Sequence, residues 1–582
     1  MSTYRQRAAT EIREQAPSRT TTPIMRKLVD DSRGMLSRTP FNARDRAEEA
    51  RAYAVEHLEE LHEQVQQNFA RRGIGYHRAG TADEAVEIVR RLLGGAKRVA
   101  KSKTMVGEEV GLTHALRAAG IDVLETDIGE YIVDIEGRGP SHITAPALHL
   151  NRARIREMLA RTGADLPDDD PVRLSRFVRD VVGEFFKDCD AGITGANAVV
   201  ASSGRLVVVE NEGNVSLGAS HPRLHIAITG IEKVVADEDA ALAVLQVLAA
   251  SATAQPLTSF THFLAGPDAG QERHVVFVDN GRSRLLADER YRDVLRCIRC
   301  GACMNACPVY RAAGGLSYGS SYMGPIGAVI SPLLWPEGGF ADLPFASSLC
   351  GRCTEVCPVG IPLHRMLLDL RADAVVAGKA GSVKERAAWK AWAFTFGDAL
   401  TARAASAAGR AGLRVAGRLS ALKGAPRLPR VLPSVAHGNQ AGSLRARPDF
   451  RPAPVVIAEP EVEPGGLPGL FRLRAAALGV TVADSMEPVD GERRLRATAA
   501  IASTGSVLLT GDAAARRPLL AASRVVIEVD PASIVRYPQD LAPYLGAGDA
   551  LILTGASRTA DIEKQIVRGI HGSEELVVVL GE

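Results

Sequence analysis

The chain has 582 residues, 46% hydrophobic and 24% charged, with 70 basic against 68 acidic residues and a net charge of +2. That length exceeds what one core usually organises, so two to four domains are expected. The charge balance argues against a nucleic-acid partner, which would require basic excess on one face. The polar start Met1-Ser2-Thr3-Tyr4-Arg5 fits no secretory signal, and the most apolar run, Ala240 to Ala250, is too short to span a bilayer. A cytoplasmic protein without a transmembrane segment is the expectation.

Residues 1–42 show no sustained apolar periodicity and read as a mobile arm. From Ala43 to Phe69 apolar residues recur at helical spacing, opening a domain expected over 43–284. Within it Ala82–Leu93, Leu112–Ala119 and the stretch around Asp239–Ala250 read as helices. Arg98–Lys101, Ile121–Glu125, Leu206–Val209, His225–Thr229 and His274–Val278 read as strands. This alternation predicts an α/β fold with a mainly parallel sheet flanked by helices. Residues 285–375 hold most of the cysteines and are expected to form an α-helical dicluster ferredoxin-type domain. A helical basic segment over 376–425 follows, then a linker over 426–468 that contains nine prolines. A second, shorter α/β domain is expected over 469–582.

That last region echoes the first at an offset near 300 residues. Ala198-Val199-Val200-Ala201-Ser202-Ser203-Gly204 lines up with Ala499-Ala500-Ile501-Ala502-Ser503-Thr504-Gly505. Ile231–Val235 lines up with Pro531–Val535, and Glu272–Val278 with Glu574–Leu580. Three matches in order point to a duplicated fold, with no counterpart of residues 70–150 in the second copy.

Seven of the eight cysteines lie between Cys297 and Cys357, while Cys189 stands alone and reads as a buried core thiol. Cys297-x2-Cys300-x2-Cys303-x3-Cys307-Pro308 is a complete bacterial ferredoxin run. Three thiols at three-residue spacing grip one cubane, and the fourth points to another cluster. The second run, Cys350-x2-Cys353-x3-Cys357-Pro358, has Ser347 where a further cysteine would stand. Crossing the runs assigns Cys297, Cys300, Cys303 and Cys357 to cluster one, and Cys307, Cys350 and Cys353 to cluster two. The second cluster is then either a three-iron cluster or a four-iron cluster completed by Ser347, another side chain, water or a partner. Structural zinc prefers well-separated ligand pairs and fits this crowded run poorly.

The sequence resembles the LutB-type (LldF) lactate-utilization iron–sulfur family. The likeness is carried by Lys101-Ser102-Lys103-Thr104-Met105, Glu125–Ile132, Pro140-Ser141-His142-Ile143, Gly192–Ala196 and Glu210-Asn211-Glu212-Gly213-Asn214. Ile298–Cys303, Gly324–Ala328 and Ser347–Cys353 extend it, so that it covers about residues 45–420. The stretch Leu553–Glu563 and Gly569-Ile570-His571-Gly572 are similar to the partner family LutC. The resemblance implies LUD domains of the isomerase and CoA-transferase fold type, and a LutB chain fused to part of LutC. It further implies an electron-transfer role in oxidising L-lactate to pyruvate, with a LutA-like cysteine-rich protein and a separate LutC-like protein as partners.

The alternative is a LUD domain acting as an isomerase- or CoA-transferase-like enzyme, with the clusters in a redox-sensing or structural role. Glu210 or Glu212 would then be the catalytic carboxylate. However, they align with Gly511 and Ala513 in the second copy, and the Glu-Asn-Gly turn reads as a hairpin. Lys101, Lys103, Thr194-Gly195-Ala196 and Ser203-Gly204 could cradle an anion, but solvated loop residues are the plainer reading. No dinucleotide or Walker motif is present. Between Ala399 and Pro448 there are nine basic and no acidic residues, with Arg403, Arg410, Arg414 and Arg418 near one helical face. A docking surface for a partner protein is expected there, ahead of contact with anionic lipid.

Overall fold

Short β-branched runs set between amphipathic helices build the framework. In the N-terminal part the strands are β1 (Ile74–Ala79), β2 (Arg98–Lys101), β3 (Asp122–Glu125), β4 (Ala191–Thr194), β5 (Ala198–Val200), β6 (Arg205–Glu210), β7 (Leu224–Gly230), β8 (Val234–Val235), β9 (Phe260–Leu264) and β10 (Glu272–Val278). Those of the C-terminal part are β11 (Thr481–Ala483), β12 (Glu492–Arg496), β13 (Ala499–Ile501), β14 (Ser506–Thr510), β15 (Arg524–Val529), β16 (Ile534–Val535), β17 (Ala550–Leu553), β18 (Arg558–Thr559), β19 (Val567–Arg568) and β20 (Glu575–Leu580). The computed structural model describes residues 3–14, 20–40, 42–379, 383–398, 401, 403–408, 466–486, 492–562 and 565–581. They divide into two units, Met1–Leu370 with Val456–Glu582, and Arg371–Val455.

In the first unit, β1-β10-β7-β4-β2-β3 form a wholly parallel six-stranded sheet. Its central strands are buried on both faces, which is why they read as near-continuous apolar runs. Helix Ala82–Leu93 is started by the Thr81 hydroxyl, which accepts from the Glu84 amide. Helix Glu238–Thr253 buries every residue from Ala241 to Ala252, the expected fate of the most apolar run. The single helix expected over Ala43–Phe69 is two, Ala43–Glu56 and Leu58–Arg72, broken at His57.

The second sheet has eight strands in the order β16-β13-β14-β17-β9-β6-β5-β8. Its two halves run in mirror order and meet where β17 pairs antiparallel with β9, Ala550 opposite Phe263 and Leu553 opposite Phe260. A separate parallel sheet, β11-β20-β15-β12, backs the C-terminal half. Residues 469–582, given a domain of their own from sequence, therefore belong to the same unit as the N-terminal strands. Alternation in one strand cannot reveal which strand will pair with it, so the seam was invisible. Polar contacts reinforce it. Arg205 donates to the carbonyls of Leu545 at 3.1 Å and Gly548 at 2.6 Å. Arg516, nearly fully buried, pairs with Asp268 at 2.9 Å and Asp549 at 2.8 Å.

The start of the chain is not an arm. Helices Tyr4–Glu14 and Thr22–Leu36 lie on the cysteine region. Tyr4 stacks edge-on with Tyr318 at 5.4 Å, and Arg7 donates to the Ser317 carbonyl at 2.8 Å. Met25 is fully buried, and the Thr22 hydroxyl donates to the Arg311 carbonyl at 2.9 Å. Helix Thr22–Leu36 carries a short apolar stripe, Ile24, Met25, Leu28 and Met35, whereas helix Tyr4–Glu14 has none and is held by Tyr4 and backbone-directed hydrogen bonds. Cys189 is half-buried rather than in the core, with its thiol 3.5 Å from the Phe186 carbonyl.

In the second unit the helix Val383–Phe396 carries Trp389, Trp392 and Phe396 as an exposed aromatic row, with ring centroids 5.8 and 5.5 Å apart. Arg410, Arg414 and Arg418 lie outside the described residues, as does the proline-rich linker except for 466–468, which open helix Gly466–Ala477. Among the described residues no helix is long and apolar enough to cross a membrane.

Phe263 sits at the seam with no exposed surface. Phe263→Ala should cost about 3–5 kcal/mol and lower the denaturant midpoint of the whole first unit in one transition, followed by circular dichroism.

Candidate functional site

Two loops of matching backbone present the cysteines. In the first, Arg299 and Gly301 flank Cys300 with φ of 61° and 79°; in the second, Leu349 and Gly351 flank Cys350 with φ of 56° and 80°. Left-handed backbone on each side of one cysteine curls the loop so that successive thiols turn inward. The non-glycine positions carry about 1 kcal/mol of strain that the surrounding fold must hold. This register sets Cys303 against Cys353, Cys307 against Cys357, and Cys297 against Ser347. The hydrogen bonds agree: the Arg299 amide donates to Cys297 Sγ at 3.4 Å, and the Leu349 amide donates to Ser347 Oγ at 3.1 Å.

None of the cysteines is in a disulfide. Cys297, Cys300, Cys307, Cys353 and Cys357 are buried, Cys303 is half-buried and Cys350 is exposed. Burial pushes Cys353 up to about 12 and Cys357 up to about 11, and raises Cys300, Cys303 and Cys307 as well. Such thiols ionise only against a strong positive partner. Their electrostatic neighbours fall into two groups: Cys300 with Cys357 and Cys297, and Cys307 with Cys350 and Cys353. Cys303 acts with Cys300 and Cys297 and also feels Cys353, so the groups adjoin. Amides of Tyr310 and Ile361 donate to Cys307 and Cys357, each at 3.4 Å. Soft thiol donors, free of disulfides, grouped on preformed loops and met by amide N–H groups, fit iron–sulfur clusters.

A buried charge network fixes the first loop to the α/β framework. Arg282 donates to Glu232 at 2.6 Å and to both oxygens of Glu109, at 2.8 and 2.6 Å. Arg299, on the cysteine loop, reaches the other Glu232 oxygen at 3.3 Å and lies 4.7 Å over the Tyr322 ring. The Tyr322 hydroxyl donates to Glu109 at 2.5 Å. Arg51 gathers four carbonyls, including those of Glu232 at 2.5 Å and Leu295 at 3.0 Å, and Lys233 donates to the Cys297 carbonyl at 3.1 Å. Burial alone would raise Glu232, but Arg282, then Arg299 and Lys233, hold its carboxyl at about 2.

Beside this loop lies a cavity of about 870 Å³. Its walls include Lys103, Thr104, Glu210, Glu212 and Asn214 from the α/β framework, Ile298 and Arg299 from the first cysteine loop, and Asp561 from the C-terminal segment. The helix Thr22–Leu36 contributes Ile24, Leu28 and Met35. Neither Glu210 nor Glu212 lies in a hairpin: Glu210 ends β6, and Glu212 lies in the loop from β6 into helix Asn214–Ser220. Glu210 is fully engaged: it accepts from the Val215 and Ser216 amides at 2.7 and 2.9 Å, and pairs with His262 at 2.9 Å. Lys101 and Lys103 are not solvated. Lys101 is completely buried between Glu125 at 2.8 Å and Glu108 at 3.2 Å, and Lys103 faces Glu130 at 3.7 Å. Sequence reasoning missed Glu232, Arg282, Arg299, Asp127 and Asp561 as site residues. Arg299 carried a signal, being inside the cysteine motif, and Asp127 and Asp561 lay within the stretches that carry the family likeness.

Comparison with known proteins agrees with this arrangement. The LUD domain family matches residues 62–283 and 495–580, and the 4Fe-4S dicluster domain matches 293–361. A LUD framework with cysteine loops set against it defines the class, a LUD-domain iron–sulfur protein. Proteins named Lactate utilization protein B from Bacillus thuringiensis (strain Al Hakam), Bacillus cereus (strain AH187) and Bacillus anthracis (strain CDC 684 / NRRL 3495) are each 44% identical over 355 residues, 60% of this chain and 75% of the relative. The chain belongs to this lactate utilization protein B family. A crystal structure of a DUF162 family protein from Deinococcus radiodurans aligns over 38% of this chain and 98% of its own at 18% identity, with a TM-score of 0.22 that is too low to bear on the fold.

Glu232→Gln should leave Arg282 and Arg299 short of a buried counter-charge and cost about 3–5 kcal/mol near neutral pH, read by denaturant unfolding. Because the folded carboxyl is depressed, its stabilisation is complete above the ordinary value of 4.5 and is lost as pH falls toward about 2. The gap between wild type and variant should therefore narrow over that window.

Proposed function

We propose that this chain is a cytoplasmic electron-transfer subunit of a system that oxidises L-lactate to pyruvate, acting with a LutA-like cysteine-rich protein and a separate LutC-like protein. The observation that carries the reading is the shared wall. Ile298 and Arg299 belong both to the first cysteine loop and to the cavity of the LUD framework. A reactant held in that cavity would sit against the loop, which shortens the path for electrons. The cavity suits a small carboxylate: Arg299 Nη1 is buried and makes no hydrogen bond, and the Asn214 and Thr104 side chains lie along the same walls.

Two groups of thiols are assigned two clusters: Cys297, Cys300, Cys303 and Cys357 hold the first, and Cys307, Cys350 and Cys353 hold three corners of the second. When bound, such clusters supply one-electron storage, and a pair matches the two electrons released by lactate oxidation. Around the first loop, the cationic Arg299 and the N–H donors stabilise added negative charge. The matched hydrogen bonds of Cys297 and Ser347 favour Ser347 as the fourth ligand of the second cluster. The competing reading, a transferase-like LUD domain with Glu210 or Glu212 as nucleophile, is weakened for Glu210 by the engagement of both its oxygens.

Anaerobically purified protein should hold about eight irons per chain, and lactate added with the two partner proteins should reduce the clusters in EPR. Fewer than about six irons, or clusters that stay oxidised, would overturn the proposal. Cys357→Ala should remove the signal of one cluster and Cys350→Ala that of the other; loss of the same signal in both would refute the crossed assignment. Ser347→Ala should lower iron by about one per chain and convert the second site to a three-iron form.

A further inference from the structure

Three carboxylates from distant parts of the chain meet in the cavity wall. Asp127 lies between β3 and helix Ile128–Glu136, Glu212 lies after β6, and Asp561 follows β18 in the C-terminal segment. One oxygen of each lies within 4.8 Å of the other two, and all three residues line the cavity.

Their positions are built from both sides. Asp127 caps its helix, accepting from the Glu130 amide at 3.0 Å. Glu212 Oε2 accepts from the Ile128 amide at 3.3 Å. The backbone of the Glu212 loop is gripped by the C-terminal segment: the Ser557 hydroxyl and the His571 amide donate to the Glu212 carbonyl at 2.6 and 2.9 Å, and the Arg558 amide donates to that of Asn211 at 2.8 Å. Gly129 leaves room for the group, since a Cβ there would stand 3.3 Å from both an Asp127 and an Asp561 oxygen.

A second observation points to a ligand. Glu212 is only 5% exposed, and its Oε1 is buried with no hydrogen-bond partner. Lys103 offsets Asp127, but it also faces Glu130 at 3.7 Å, so it does not balance the trio. Three carboxylates this close do not all ionise without added positive charge. Donors that are all oxygen select a hard cation, and the Thr559 hydroxyl, 3.4 Å from Asp561, and the open cavity side leave space for further oxygen ligands.

We propose that Asp127, Glu212 and Asp561 bind one hard divalent cation, of the Mg²⁺, Mn²⁺ or Ca²⁺ class, in the wall of the cavity. The site is complete only when the C-terminal segment is in place, because that segment supplies Asp561 and clamps the Glu212 loop. The cation then ties the two ends of the unit together across the cavity, independently of what the cavity holds and of whether the clusters carry electrons from lactate.

The test uses the full-length, iron-loaded protein, treated with EDTA and dialysed anaerobically against Mn²⁺, with bound manganese and iron measured by elemental analysis. About one Mn²⁺ per chain is expected, with affinity falling at least about tenfold in Asp561→Asn and in Glu212→Gln and iron content unchanged. Mn²⁺ should also raise the melting temperature of wild type and not that of Asp561→Asn. No stoichiometric binding of Mn²⁺, Mg²⁺ or Ca²⁺, or equal affinity in the variants, overturns the site. So does Asp561→Asn melting above wild type with no Mn²⁺ effect on either, the behaviour of a trio that shares protons.

Discussion

A single buried carboxylate, that of Glu232, holds the cysteine loop against the α/β framework. It meets Arg282 from the framework on one oxygen and Arg299 from the loop on the other, and none of its surface reaches solvent. Charges so far from water are tolerated only when each is paired, and Glu109, Tyr322 and Arg51 complete the pairing. Taking one group out of such a network leaves others uncompensated, so the loop cannot shift while the framework stays. Rigid placement of this kind suits a metal-cluster site, whose ligands must stay in a fixed arrangement.

The cavity depends on that fixed geometry and on two chain ends. Helix Thr22–Leu36 covers one side, and the C-terminal segment covers another through the β9–β17 seam and the clamp on the Glu212 loop. The two ends therefore belong to the same functional wall although more than 500 residues separate them. The fold also sorts the acidic residues singled out from the Glu-Asn-Glu-Gly-Asn stretch. Glu210 is consumed in holding the start of helix Asn214–Ser220, while Glu212, two residues on, keeps one oxygen without a partner.

Much of the framework was legible in the residues. Helix Ala82–Leu93 and strand Arg98–Lys101 appear with the bounds their patterns predict, because amphipathic period, a threonine cap and a terminal glycine are all local signals. The buried helix around Ala240–Ala250 was equally plain. Lys101 was not: a lysine beside a strand looks solvated until Glu125 and Glu108 are brought to it from elsewhere in the chain. The helix of residues 4–14 escaped for a related reason, since its anchors are contacts to a distant surface, while the stripe of helix 22–36 is only four apolar residues long.

By itself the sequence determined the cysteine spacing, the gap at Ser347, the class of metal chemistry and the alternation of strands and helices, because each is written within a few consecutive residues. Only the tertiary structure decided that the C-terminal strands complete one sheet with the N-terminal ones, that Arg299 and Arg282 share Glu232, and that Asp127, Glu212 and Asp561 face one another. Those relations join residues from tens to hundreds of positions apart. They are set by which buried charges and strand edges find partners when the whole unit closes, and no local pattern records that.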